Sequence, residues 1–441
     1  MKPLLIFSIT LVILSMFIVS QSFQHENEIE AYIGNSVPYI GSEIPRIDGI
    51  DGTGIKIAII DTGVDFNHPD LFGWGPNGKV IGGHNFIQEN QLPMDTNGHG
   101  TKVAGIIAAD GNVSGVAPKA KILAYKVSED GEGVSSELIK GAIEKAIEDE
   151  ADIINISLGV NRTNSKIDSA VNYALDKGIF VVTAAGNDGP KMETIGSPGR
   201  NLNSITVGAT YNNMTSSLIA TLEIDEKEYT VIPMVGSSKT NEPITGKIIF
   251  GGYGKMDDLK NIDVKNSIVI VERGSNVKDE LLFFSIKEMN VANAGAKALI
   301  VFNNQPGIFL GELIHEFSEP GYIPQIPVVS IDREEGLEII ELIKNDSEGI
   351  IHLFFNPDFI AHFSSRGPVS PFYIKPDMVA PGAYINSTQT NGMYNFTSGT
   401  SFAAPHVSGA AALLLQKNPE LQNHEIKSLL TTTVKPVSDA Y

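Results

Sequence analysis

Five short runs of the chain are mostly apolar: "IKIAII" (55–60), "ILAYKV" (122–127), "DIINISLG" (152–159), "IFVVTAAG" (179–186) and "SITVGAT" (204–210). Runs of this length that do not alternate with polar residues are strands covered on both faces, the pattern of a parallel sheet. Between them, apolar residues recur with a helical period over 98–110, 135–150 and 165–178, the last closed by Gly178. Strand and helix in regular succession predict an α/β fold: a doubly wound parallel sheet with helices on both faces and reactive residues at the carboxyl ends of the strands. A further helix of small residues is expected over 403–415, with Ser401 at its opening.

Beyond residue 210 the rhythm changes. Residues 211–360 read as a unit of their own, with "SIVIVERG" (267–274), an amphipathic stretch over 278–295, "KALIVFNN" (297–304) and "IPVVSI" (326–331). The first pattern then resumes over 361–441, as it would if a domain had been inserted into a surface loop of a finished fold. The N-terminus is different again. Lys2 precedes an apolar run from Leu4 to Val19, and Ser20 and Ser22 offer small residues for cleavage ahead of the acidic "QHENEIE". This predicts a signal peptide over 1–22 and export of the rest, so that the main unit begins within 23–210; retention of the run as a membrane anchor is the alternative.

Composition narrows the function. At 441 residues, 42% of them hydrophobic, the chain carries enough apolar surface for a large core. A formal charge of −20 opposes any phosphate backbone, which excludes nucleic acid as a partner. There are no cysteines, so disulfides, thiol nucleophiles and Cys-ligated zinc are all excluded.

Three polar residues stand at element ends. Asp61 ends the first strand in "AIIDTGVD", His99 opens a helix in "NGHGTKVAG", and Ser401 opens another in "SGTSFAAPHVSG". Singly, they have ordinary readings as a turn former, a turn residue and a helix cap. Together they supply the parts of a triad, in which an imidazole takes the proton of a serine hydroxyl and a carboxylate orients the imidazole.

In this order and with these flanks, the three segments resemble the active-site signatures of the subtilisin-like serine proteases, the subtilase family, over about 50–210 and 361–441. The resemblance implies an endopeptidase working through an acyl-enzyme, with Asp61, His99 and Ser401 as the triad and Asn187 of "AAGNDGP" as an oxyanion donor. It implies that Ser157, Leu158 and Gly159 pair with an extended peptide. It also implies protein or peptide substrates, no required cofactor, and a secreted or cell-surface location. Residues 211–360 resemble a protease-associated (PA) domain, which implies a role in substrate access or protein contact. Asp70 matches a calcium-ligand aspartate of some members, but "AADGNVSGVAP" (108–118) is shorter than the loop that supplies their other ligands, so structural calcium is without support.

Three features depart from the family pattern. Lys102 stands where members usually carry a second histidine, few residues separate the signal segment from the first strand, and the chain stops after "TTTVKPVSDAY" where members continue. The last of these raises a truncated C-terminus. A catalytically silent binding protein is the competing reading from another class, while an esterase or lipase is disfavoured because no Gly-x-Ser-x-Gly elbow is present.

Overall fold

The first apolar run forms β1 (Lys56–Asp61), and every residue of it after Lys56 is buried. The computed structural model describes residues 36–437 apart from 132–133, 161, 212–217, 279, 310, 315–321, 344–346, 357 and 371–372. The expected signal segment, 1–22, lies outside the described residues. β2 (Val80–Asn85), β3 (Lys121–Lys126), β4 (Ile153–Ile156), β5 (Phe180–Ala184), β6 (Ile205–Thr210) and Met378–Pro381 complete a seven-stranded sheet, ordered Met378–Pro381, β6, β5, β4, β1, β3, β2. Every neighbouring pair in it is parallel.

Alternate residues of β1 serve opposite faces. Ala58 and Ile60 join Leu123, Ile154 and Val181 in a core completed by Ile143 and Val171, from the helices Ser136–Glu148 and Ser165–Asp176. Ile57, Ile59 and Asp61 belong to the other face, where the helices His99–Ala108 and Thr400–Lys417 pack against each other and against the sheet. From β1 the chain goes to β2 and β3 on one side and then returns to β4 on the other. That reversal makes the carboxyl ends of β1 and β4, beside Asp61 and the residues that follow Ile156, the topological switch point at which open α/β sheets bind their ligands.

β2 is absent from the expected elements because its sequence, "VIGGHN", carries no apolar run. Its glycines have a packing reason. A Cβ on Gly83 would lie 1.8 Å from the Ala124 carbonyl oxygen, so β2 can approach β3 this closely only without a side chain there.

The chain divides into two units, Met1–Met214 with Phe363–Tyr441, and Thr215–His362. The second is built on its own eight-stranded mixed sheet. Ile244–Phe250, Ile268–Glu272, Ala298–Phe302 and Val328–Ile331 run parallel at its centre, and antiparallel strands flank them on both sides. Alternation again sorts two cores: Ile268, Ile270 and Ile300 on one face, Val269, Val271 and Leu299 on the other. Within the expected amphipathic stretch, 278–295, the helix covers Phe284–Asn293. The flanking strands Leu218–Ile224 and Glu348–Phe355 are also additions to the sequence reading.

After the second unit the chain rejoins the first sheet at Met378–Pro381, and a buried ion pair marks the junction. One Asp377 oxygen accepts from Thr206 N at 2.7 Å and from Lys375 Nζ at 2.5 Å, and the other lies 3.0 Å from Lys427 Nζ. Lys375 Nζ also donates to the Ser204 carbonyl and to Thr206 Oγ1. Burial pulls its pKa down to about 8 against the upward pull of Asp377. Asp377→Ala leaves the ammonium buried beside no counter-charge, and breaking a buried pair in this way costs about 3–5 kcal/mol. Equilibrium urea unfolding of the variant should show a loss of that order; a loss below about 1 kcal/mol, the range of exposed pairs, would mean the junction is not held by this pair.

Candidate active site

Asp61 is fully buried at the end of β1. Its Oδ1 accepts from His99 Nδ1 at 2.7 Å and from Thr62 N at 2.8 Å, whereas Oδ2 is buried without a hydrogen-bond partner among the described residues. A carboxylate withdrawn from water favours a positive charge next to it, and the imidazolium of His99 is within hydrogen-bond distance. Burial lowers the His99 pKa, but the Asp61 charge and hydrogen bond, helped by Asp95, more than reverse this and hold it above the ordinary 6.5. Lys102, one helical turn along, pulls in the opposite direction.

The residues ahead of His99 aim its helix. Asp95 Oδ1 accepts from Thr62 Oγ1, Asn97 N and Gly98 N, and Oδ2 accepts from Thr101 N and Thr101 Oγ1. One carboxylate thus takes up N–H groups that a helix start leaves unpaired. Thr62 Oγ1 also accepts from Gly100 N at 2.9 Å, tying the helix to the strand that carries Asp61. A Cβ at Gly100 would lie 2.1 Å from the Gly63 carbonyl oxygen and 3.1 Å from Asp61 Oδ1, so a side chain there would push the two elements apart. Sequence reasoning missed Asp95. Its signal was an acidic residue just ahead of a helix start, in "DTNGHGT".

Ser401 is the second residue of the helix Thr400–Lys417, where a backbone N–H has no acceptor within the helix. Its hydroxyl donates to the Ser157 carbonyl at 2.8 Å, and the ring of the next residue, Phe402, stands 5.0 Å from that of His99. Pro405 sits inside the same helix. Lacking an N–H, it cannot donate to the carbonyl four residues back, that of Ser401. A buried carbonyl without a donor costs about 1–3 kcal/mol. Ser157 Oγ supplies the donor instead, at 2.9 Å. Ser157 and Ser401 therefore hold each other through two reciprocal bonds.

Asn187 is exposed, just beyond β5. Its Oδ1 accepts from Thr400 N at 2.9 Å and from Thr400 Oγ1 at 3.1 Å, and Thr400 Oγ1 in turn accepts from Gly186 N. With the oxygen so held, the NH₂ is turned away from Thr400, and a Cβ on Gly399 would come within 3.4 Å of Nδ2. The glycine leaves space beside a donor whose orientation is fixed.

Leu158 is buried and Gly159 exposed. Val160 forms an isolated antiparallel bridge with Ser197, its N–H donating to the Ser197 carbonyl at 2.9 Å. A Cβ on Gly159 would lie 2.7 Å from that same oxygen. Asp70 is a loop clamp. Its oxygens accept from Asn112 N, Val113 N and the Tyr394 hydroxyl, and so are aimed at donors rather than at a cation. Among the described residues, no three Asp, Glu or His side chains gather in a way that would hold a metal ion. His406 is buried, its pKa lowered by desolvation to about 4, and it is neutral near pH 7.

The profile of the Subtilase family matches residues 52–440. The chain is 32% identical over 442 residues to the minor extracellular protease Vpr of Bacillus subtilis (strain 168), covering 94% of this chain and 52% of that protein. It is 32% identical over 395 residues to the subtilisin-like protease SBT3.16 of Arabidopsis thaliana, covering 81% of this chain and 49% of the plant protein. Over 178 residues it is 42% identical to thermitase of Thermoactinomyces vulgaris, covering 40% of this chain and 61% of thermitase. The chain spans about half the length of Vpr and of the plant protein.

Asp61→Asn removes the charge that raises the His99 pKa and leaves the burial that lowers it. Titration of the imidazole by NMR should therefore give a value above 6.5 in the parent chain and below 6.5 in the variant. An unchanged value would mean that Asp61 does not control the protonation of His99.

Proposed function

The chain belongs to the subtilase family, and from that premise we propose that it is an exported serine endopeptidase that cleaves protein or peptide substrates. The observation that carries this reading is the 2.7 Å bond between His99 and the buried Asp61, with a serine at a helix start next to the ring that packs on His99. In the proposed cycle, neutral His99 takes the Ser401 proton as Oγ adds to the scissile carbonyl. Asp61 steadies the imidazolium that results. The oxyanion is met by the Asn187 NH₂ and the Ser401 N–H, both directed before the reaction begins. His99 then gives the proton to the leaving amine, and water, activated by the same imidazole, releases the acyl group from Ser401.

The segment 157–159 is proposed to align the substrate as an added strand. Export is supported by the signal-like sequence of residues 1–22 and by the word extracellular in the name of the Bacillus relative. The second unit, Thr215–His362, contains none of the four proposed catalytic residues. As a PA-like module it would govern which substrates are taken rather than the chemistry. On that reading, replacing it with a short Gly/Ser linker preserves cleavage of a short peptide and alters the rate on casein. Equal changes for both substrates would contradict the role.

A fluorophosphonate probe tests the main reading. It should label the parent chain at Ser401 and leave Ser401→Ala unlabelled and inactive by several orders of magnitude, with folding intact. Asn187→Ala should lower kcat by about 10²–10³, the magnitude known for such a donor in subtilisin, with little change in KM. A parent chain that neither reacts with the probe nor cleaves peptides would favour the silent binding protein.

A further inference from the structure

A one-way chain of hydrogen bonds ends on the backbone of Ser401. Ser408 Oγ donates to Asn155 Oδ1 at 2.8 Å, Asn155 Nδ2 donates to Ser157 Oγ at 2.9 Å, and Ser157 Oγ donates to the Ser401 carbonyl at 2.9 Å. Asn155 and Ser408 have no exposed surface, and Ser157 and Ser401 have little. The other contact of the Ser408 hydroxyl, to the Ala404 carbonyl, is long at 3.4 Å.

Direction is what this chain encodes. A hydroxyl has one proton, and a carboxamide is a donor at one end and an acceptor at the other. With the Ser408 proton on Oδ1, the Asn155 NH₂ must face Ser157. There it occupies a lone pair of Oγ and leaves the hydroxyl proton for the Ser401 carbonyl. Turned end for end, the amide would offer its oxygen to Ser157 and compete for that single proton. The Ser401 carbonyl, already without the Pro405 N–H, would then lose its donor.

We propose that Ser408 and Asn155 are positioning residues for the nucleophile: Ser408 orients the Asn155 amide, and the amide, through Ser157, fixes the carbonyl of Ser401. Neither residue touches substrate. Their effect falls on how well the Ser401 hydroxyl and N–H are placed, and hence on the rate of attack rather than on binding. The proposal rests on the reading of Ser401 as the nucleophile.

The test is a double-mutant cycle on the full chain, read by the second-order rate of fluorophosphonate labelling and by kcat and KM on a short chromogenic peptide. Ser408→Ala should slow labelling and kcat by about tenfold, the worth of one hydrogen bond, with KM within about twofold. Ser408→Cys, which fills the same space with a weak donor, should slow them in the same direction. In a Ser157→Ala background, where the proton for the Ser401 carbonyl is already gone, Ser408→Ala should have no further effect. Unchanged labelling in Ser408→Ala, or an equal loss in both backgrounds, would overturn the proposal by reducing Ser408 to a packing residue. Failure of the parent chain to label would instead overturn the peptidase reading beneath it.

Discussion

A carboxylate can stay charged inside a protein only where something answers its charge, and the first unit is arranged around one such group. Asp61 ends a strand with no exposed surface, and the nearest positive partner it can have is the imidazole 2.7 Å away. The strand must be buried to keep water from Asp61. The helix of His99 must approach it without an intervening side chain, which is what Gly100 allows. That helix must also be held in register, which Thr62 and Asp95 do through six hydrogen bonds between the strand end and the helix start. The result is an imidazole readier to accept a proton than one in water.

The helix of Ser401, the proposed nucleophile, meets this pair from the same face of the sheet, and its own irregularities have local answers. Pro405 removes a helix bond, Ser157 replaces it, and the replacement ties the helix to the end of β4. Thr400 holds the oxygen end of Asn187, so the orientation of its NH₂ is fixed, as its proposed role toward an oxyanion requires. Preorganised donors of this kind spend no free energy on reorientation during reaction, which is why they stabilise a transition state better than water does.

Much of this was legible in the sequence, for a physical reason. Asp61, His99, Ser401 and Asn187 lie at element ends, where an apolar run or a helical pattern stops at a polar residue, and the flanking glycines mark close approaches. Their supports were not legible. Asn155 and Ser408 lie 253 positions apart, and each reads locally as one polar residue in an apolar element. β2 was hidden because its packing demands glycine where the pattern of a strand would show valine or isoleucine. The antiparallel strands of the second unit were hidden because partly exposed strands lack the solid apolar runs of β1 and β4.

The central claim is that Asp61 tunes His99 to serve Ser401, and the pH dependence of Ser401 labelling tests it most directly. The imidazole must be neutral to take the proton, so the rate of fluorophosphonate inactivation should fall as pH drops through the His99 pKa. That midpoint should lie above 6.5, because the charge and hydrogen bond of Asp61, helped by Asp95, together outweigh the effect of burial. A rate independent of pH from about 5 to 9, a span that brackets the titration of any ordinary histidine, would contradict the account.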